Sequence, residues 1–484
     1  MFLNKLKLNN EILSAIIVIV LNTFLIMVGF GGGFILPLFI LVMFLSFGIS
    51  FVYPRSGIYA VIFLTLIFER FFTLAPIIIG YQEYKIYPLD IILGAVFSAY
   101  FFQLIPEIIK GRRKSLAENK YLIMFFILIT IHFLIDIFVF GTDKNLAFSS
   151  FKYYVFYPWL YFVTLFFFKN KEDSKTLMRF FLAGTIGIIF FIIFGLINGG
   201  GLWTEYTPLS TGGIRILAFT HSFYILMGFL GVWIWNLYQG GKINRVLKIV
   251  TIFWIIGIVG SLMRHLWVGL IISLGIIYFL IDRGKKNIFN KIFFKGVLTA
   301  FLVLIFFSFI ALISPHYTAP NKLINQASNS VKERAGSLVT SIEKDESFFW
   351  RELVWRESLK KYKENPIWGL GFGQRIYVEE ENYKDFVEIR NIHNSWLVLL
   401  FQGGMIIFIL FGAFLFQSIG KLIRAKEKSW EEIIFLVLIL NYAVVAVFQP
   451  YFETNMLVIF FWILLGLIGV SNLSRLDYEN SGNK

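Results

Sequence analysis

Cysteine is missing altogether from the 484 residues, which excludes disulfide staples, thiolate nucleophiles and cysteine-held metal. Charge is scarce: Asp, Glu, Lys and Arg make up 15% of the chain, well below the roughly 25% usual for a soluble protein. Histidine occurs only five times, so each candidate acid–base group can be weighed individually. Polar stretches are also few. A single long one runs from about Pro315 to Ile392, and the chain on either side is dominated by apolar and aromatic residues.

Apolar runs of roughly 17–25 residues recur from end to end, the length a helix needs to cross a bilayer. No single globular core could bury that much apolar surface. The expected fold is an all-α integral membrane protein of about 12–14 spans. Spans are placed near residues 12–29, 34–53, 57–79, 89–106, 120–140, 153–168, 179–198, 218–238, 248–263, 266–282, 297–314, 394–416, 433–449 and 455–470. The first follows Lys5 and Lys7, exceeds a signal-peptide core and lacks a small-residue cleavage site, so it reads as a retained span. Residues 1–314 and 393–484 then form one membrane domain, interrupted by the loop 315–392.

The formal charge of +14 invites a nucleic-acid reading, but the cations lie mostly in short loops between spans, which argues for a membrane orientation signal. With the N-terminus cytoplasmic, alternate loops carry Lys110, Arg112, Arg113 and Lys114, then Lys169, Lys171, Lys175 and Arg179, then Lys242, Arg245 and Lys248. Arg283 to Lys295 and Lys421 to Lys428 continue the series, while opposite loops hold little beyond Lys85, Lys144 and Lys152. Both termini are therefore expected on the cytoplasmic side of a cytoplasmic membrane, with the loop 315–392 outside. Its first half is rich in Ser, Asn and Lys. In its second half Arg351, Trp355, Leu359 and Tyr362 fall on one helical face. Asn365-Pro366 stops that helix, and Gly369 to Gly373 reads as a tight, close-packing turn.

Polar residues at the membrane are functional candidates. Arg264, in Ser261-Leu262-Met263-Arg264, sits where two spans meet with almost no loop. Arg215 precedes the eighth span and His393 opens the twelfth. All three fall at one depth, on the outer side. Arginine holds a planar fork of donors suited to phosphate oxygens, so two of them fit a diphosphate. Histidine can take a proton from an attacking hydroxyl. The plainer alternatives are arginines snorkelling to headgroups and an interfacial histidine with satisfied hydrogen bonds. Glu69 and Arg70 read as a structural pair, and His132 with Asp136 as an internal hydrogen bond in preference to a proton relay. His221 and His265 carry no assigned role, and His316 reads as solvated loop. The glycine-rich turn lacks the lysine and the strand–helix context of a nucleotide cradle, and no acidic or histidine cluster has metal-ligand spacing.

Trp350-Arg351-Glu352-Leu353-Val354-Trp355 through Asn365-Pro366-Ile367-Trp368-Gly369-Leu370-Gly371-Phe372-Gly373, followed by His393-Asn394, nine residues and Gly404, resembles the signature of bacterial O-antigen ligases and Wzy-type polysaccharide polymerases. Ser261 to Arg264 resembles the element that opens the same region, and the likeness covers about Gly260 to Ile407. It implies a GT-C-like helical bundle with a large extracytoplasmic loop containing helices. Such an enzyme would move a glycan from undecaprenyl diphosphate, with inversion and without metal or other cofactor, onto lipid A-core or another glycan. It would act at the periplasmic face, with membrane lipids around it and no nucleic acid as partner. His393 corresponds to the proposed base, and Arg264 and Arg215 to diphosphate-binding arginines. Arg351, Trp355 and Asn394 count with them as substrate-binding. A ligase is the leading expectation and a polymerase its alternative. A lipid-linked oligosaccharide flippase is the competing class, and it would need midplane charges and two similar halves.

Overall fold

The structure, a computed structural model, describes residues 9–68, 76–79, 82–85, 87–109, 119–198, 201–202, 215–313, 346–380, 383–425 and 427–482. The expectations for Glu69, Arg70, His316 and the first half of the long loop lie outside the described residues. The chain opens with α1 (Asn10–Gly32), α2 (Leu36–Val52) and α3 (Pro54–Ile67), then a hairpin of β1 (Pro76–Ile79) and β2 (Gln82–Lys85). Next come α4 (Pro88–Ile109), α5 (Lys120–Phe138), α6 (Lys144–Phe151), a π-helical turn at 152–156 and α7 (Trp159–Phe167). The series continues with α8 (Lys171–Gly187), α9 (Ile189–Asn198), α10 (Phe219–Tyr238), α11 (Arg245–Gly260), α12 (Arg264–Leu280) and α13 (Arg283–Ile313). The second half of the long loop holds α14 (Glu346–Tyr362), β3 (Arg375–Glu380) and β4 (Tyr383–Glu388). The chain closes with α15 (Ser395–Arg424), α16 (Trp430–Val445) and α17 (Asn455–Gly482).

Among the described residues, six segments are long and apolar enough to cross a membrane: Asn10–Gly29, Pro88–Ile109, Lys120–Phe138, Lys171–Asn198, Ser395–Arg424 and Asn455–Arg475. The helical membrane fold is thus present, with two corrections. The run 57–79 is not one span, because α3 ends at Ile67 and residues 76–79 pair with 82–85 as a strand. The run 153–168 is a π-helical turn followed by a short helix, since Pro158 between them cannot donate to the helical ladder.

Several helices start where the sequence supplies a cap. Ser429 and Glu432 form a reciprocal capping box on α16, and Asn244 accepts from Leu247 N on α11. The last helix is the axis of the bundle, with 89% of its most apolar stretch buried. Gly466 and Gly469 bring it against Thr164 and Leu165 of α7, where an added Cβ would stand 2.5 and 2.7 Å from their side chains. Close approach through small residues is the usual way membrane helices gain contact, because lipid is as apolar as the partner helix. Asn441 donates from its amide to Gly269 O at 2.9 Å and Ser273 Oγ at 2.6 Å, which fixes α16 against α12. That bond sets the ends of these two helices beside each other.

A second, smaller core lies within the loop. Leu353 and Val354 of α14 pack on Ile376, Val378 and Val387 of the hairpin and on Ile392, Val398 and Phe401. The hairpin was not anticipated. Its alternation of exposed and buried residues across 375–380 is a six-residue strand signal that neighbouring charges obscure.

Candidate active site

His393 lies between the hairpin and α15, and its backbone is left-handed with φ +57°. Leu262, two residues before Arg264, has the same φ, and among the described non-glycine residues these two are the left-handed ones. A side chain in that conformation costs about 1 kcal/mol or more, and such strain concentrates where structure is held for function. Asn394 caps α15, its Oδ1 accepting from Trp396 N and Leu397 N at 3.1 Å each. The hydrogen bonds of its oxygen therefore fix where the helix begins, directly after His393.

The imidazole is tethered on both sides. Nδ1 donates to Gln449 Oε1 at 2.8 Å, and the edge of Trp350 meets the ring at a centroid distance of 5.3 Å. Because the amide oxygen only accepts, the neutral ring carries its lone pair on Nε2. Burial and then the nearby Arg351 charge lower the proton affinity of His393, with the Gln449 bond opposing them. Neutral imidazole is thus the resting form near pH 7. Trp355 donates to Ile392 O at 2.7 Å and so holds the backbone immediately before the histidine.

One ring, that of His265, feels the charges of all the scattered basic positions. Arg215, Arg264, Arg351 and His393 are all close enough for their charges to act on its ring. Arg215 reaches it because Ile216 N donates to Gly260 O at 3.2 Å and the Ile216 side chain lies on Gly260, fastening this segment to the end of α11. Arg264 is the first residue of α12, which Met263 leaves without a side-chain cap. All four basic residues are half-buried. His265 itself contacts the Tyr451 hydroxyl at 3.1 Å through Nε2.

The sequence reading missed the segment that ties these parts together. Residues 446–454, between α16 and α17, supply Gln449 to His393, Tyr451 to His265 and the carboxyl of Glu453 to the first residue of α15. The signal was available: Gln449 to Glu453 is a polar interruption between two apolar runs.

The glycine-rich turn expected to pack closely does so against a break in α15. Gly404 has φ +75°, ψ 177°, outside the helical region, so carbonyls ahead of it lose their partners. Leu370 N and Gly371 N donate to Phe401 O and Gln402 O at 2.6 and 3.2 Å, and Met405 N donates to Pro366 O at 3.0 Å. At membrane depth such groups have no water to turn to, so the turn completes the broken helix. The hydrogen bond expected between His132 and Asp136 forms at 2.8 Å. It also grips the turn, since Phe372 N donates to Asp136 Oδ2 at 2.7 Å and His132 Nε2 meets Trp368 O at 2.7 Å. Removing the carboxylate in Asp136→Ala leaves two buried donors unmatched and should destabilise the turn by about 1–3 kcal/mol per group. A lowered melting temperature and faster proteolysis within 366–373 would register that loss.

A separate apolar cavity between α8, α10, α16 and α17 is lined by side chains such as Leu182, Val232, Ile434 and Leu464. It holds no charged group and offers nothing to bind phosphate or move a proton.

No curated protein matches the chain. The O-antigen ligase family model matches residues 249–412, from within α11 through α14 and the hairpin to the middle of α15, and so includes Arg264, Arg351 and His393 but not Arg215 or Gln449. Residues 249–412 thus form a segment similar to the O-antigen ligase family.

Proposed function

We propose that this protein is an O-antigen ligase-type glycosyltransferase of GT-C-like architecture, working at the outer face of the cytoplasmic membrane. It moves a glycan from undecaprenyl diphosphate to an acceptor hydroxyl such as that of lipid A-core. The observation that carries the reading is the gathering of Arg215, Arg264 and Arg351 with His393 around His265 at the start of α12. Like charges crowded together oppose one another, and a cation at a helix N-terminus opposes the helix dipole. Arg264 therefore does not serve its own helix. A helix N-terminus flanked by arginines is suited to a diphosphate.

The reaction then runs in one displacement. The acceptor oxygen forms a bond to the anomeric carbon as the bond from that carbon to the diphosphate breaks, inverting the centre. The acceptor proton passes to His393 Nε2, the nitrogen left free by the Gln449 bond. The bond pair leaves with the diphosphate, whose growing charge Arg215 and Arg264 stabilise without a metal. Arg351 and Trp355 close the loop over the donor.

Purified protein in detergent, given undecaprenyl-diphosphate glycan and acceptor, should form a glycosidic product. A flippase needs a sealed compartment and would form none, so failure here refutes the reading. Mass spectrometry of the product distinguishes glycan attached to lipid A-core, as expected for a ligase, from glycan merely lengthened on its carrier. Arg264→Lys keeps the charge but loses the bidentate fork, and transfer should fall roughly tenfold or more. Wild-type turnover in that variant would mean the guanidinium serves headgroups instead.

A further inference from the structure

The mechanism above leaves one buried carboxyl without a task. Glu453 is 8% exposed, and its two oxygens are taken by groups from two different elements. The Tyr154 hydroxyl of the π-helical turn donates to Oε1, and the Ser395 hydroxyl, from the first residue of α15, donates to Oε2 at 2.5 Å. Ser395 is a junction. Its Oγ accepts from Phe452 N at 3.0 Å, its own N donates to Ala446 O at 2.9 Å, and Gln449 O lies 3.3 Å from the hydroxyl. Gln449 is the residue whose side chain holds the His393 ring.

We propose that Glu453 is a positioning residue for His393, acting through Ser395 and Gln449 by changing the partner of the Ser395 hydroxyl as the carboxyl gains or loses a proton. When Glu453 is ionised it only accepts, and Tyr154 and Ser395 both donate to it. When it takes a proton from bulk water, its O–H on Oε2 donates to Ser395 Oγ. The serine hydrogen then turns to Gln449 O, and the lone pairs of Oγ accept from Glu453 and Phe452 N. Every group is satisfied in both arrangements, but only the protonated one adds a bond that draws Gln449 onto the start of α15. That bond fixes the amide that sets the His393 tautomer.

Both arrangements are accessible near neutral pH. Burial pushes the Glu453 carboxyl up to about 7, against the Ser395 and Tyr154 bonds and its own backbone N–H, which pull it down. The groups facing it are Tyr153 and Tyr154 of the π-helical turn, Ser395 of α15 and Tyr442 of α16. Because its proton affinity is raised above the ordinary 4.5, the stability it contributes is complete below that value and is lost as pH rises through about 7.

The proposal rests on the glycosyl-transfer reading, and the test separates the two. Transfer rates of wild type, Glu453→Gln, Glu453→Ala and His393→Ala are measured in detergent from pH 5 to 9, with melting temperatures over the same range. Wild type should lose kcat above about pH 7, with KM steady. Glu453→Gln, which keeps a donor for Ser395 at every pH, should hold kcat within about threefold of the wild-type maximum and lack that alkaline fall. Its melting temperature should also lose the decline that wild type shows between pH 5 and 8. Glu453→Ala should lower kcat roughly tenfold with little change in KM, the mark of lost orientation. An alkaline limb or a melting profile in Glu453→Gln identical to wild type would overturn the positioning role while His393→Ala is still inactive. Full turnover in His393→Ala would instead overturn the underlying reading.

Discussion

A His393→Ala variant should lose glycosyl transfer by roughly 10²–10⁴-fold, the contribution expected of a positioned general base. Donor binding should survive, because the arginines proposed to grip the diphosphate come from other segments. The loss should therefore appear in kcat, with KM for the donor changed little. The acid side of the pH profile gives an independent check. Burial and Arg351 lower the proton affinity of His393, so wild-type activity should rise with pH through a midpoint below the ordinary 6.5. Arg351→Ala removes one of those two causes, and the midpoint should move up towards 6.5. Gln449→Ala frees the ring to adopt either tautomer and to rotate, so it should reproduce part of the histidine loss without removing the base. Near-full turnover of His393→Ala would take the histidine out of the mechanism.

Among the described glycines, Gly404→Ala should be the most damaging single added methyl. Its φ +75°, ψ 177° belongs to a region open essentially to glycine, at a cost of about 1–3 kcal/mol for any other residue. An added Cβ would also run into the Ile367 carbonyl and the Trp368 backbone, which cannot move without releasing the bonds that complete α15. Overpacking of that kind costs about 1–3 kcal/mol more. The expected outcome is a protein with a lowered melting temperature and a protease-sensitive 366–373 segment, inactive because α14 and His393 lose their support. Wild-type stability in Gly404→Ala would refute the role of the kink. The glycine that follows the histidine in the sequence signature is thus explained by backbone geometry, with no chemistry of its own.

Much of the site was legible from residue type and depth. Arg215, Arg264 and His393 interrupt apolar runs at matching positions, and in the structure the charges of all three act on His265. Asn394 follows His393 directly, and its oxygen caps α15. Trp355 donates to Ile392 O, the carbonyl just before His393. Gln449 and Glu453 were passed over because their task is defined by what they touch, and a sequence shows no contacts between residues 50 or more positions apart. The β3–β4 hairpin was missed for a related reason: alternation over six residues is weak beside the long apolar runs.

The sequence by itself determined that this chain is a helical membrane protein and placed most of its helices, although the run 57–79 breaks at Ile67 and α13 begins at Arg283, well before the expected start. Those features depend on local quantities: apolar length against bilayer thickness, caps, prolines and glycines. Only the tertiary structure decided that the charges of Arg215, Arg264, Arg351 and His393 act on one ring, that the 446–454 segment contacts both His393 and His265, and that the glycine-rich turn repairs a broken helix. Each of these is a meeting of backbone groups or charges from distant segments. Such meetings are set by helix packing through Asn441 and the small residues, which no local pattern encodes.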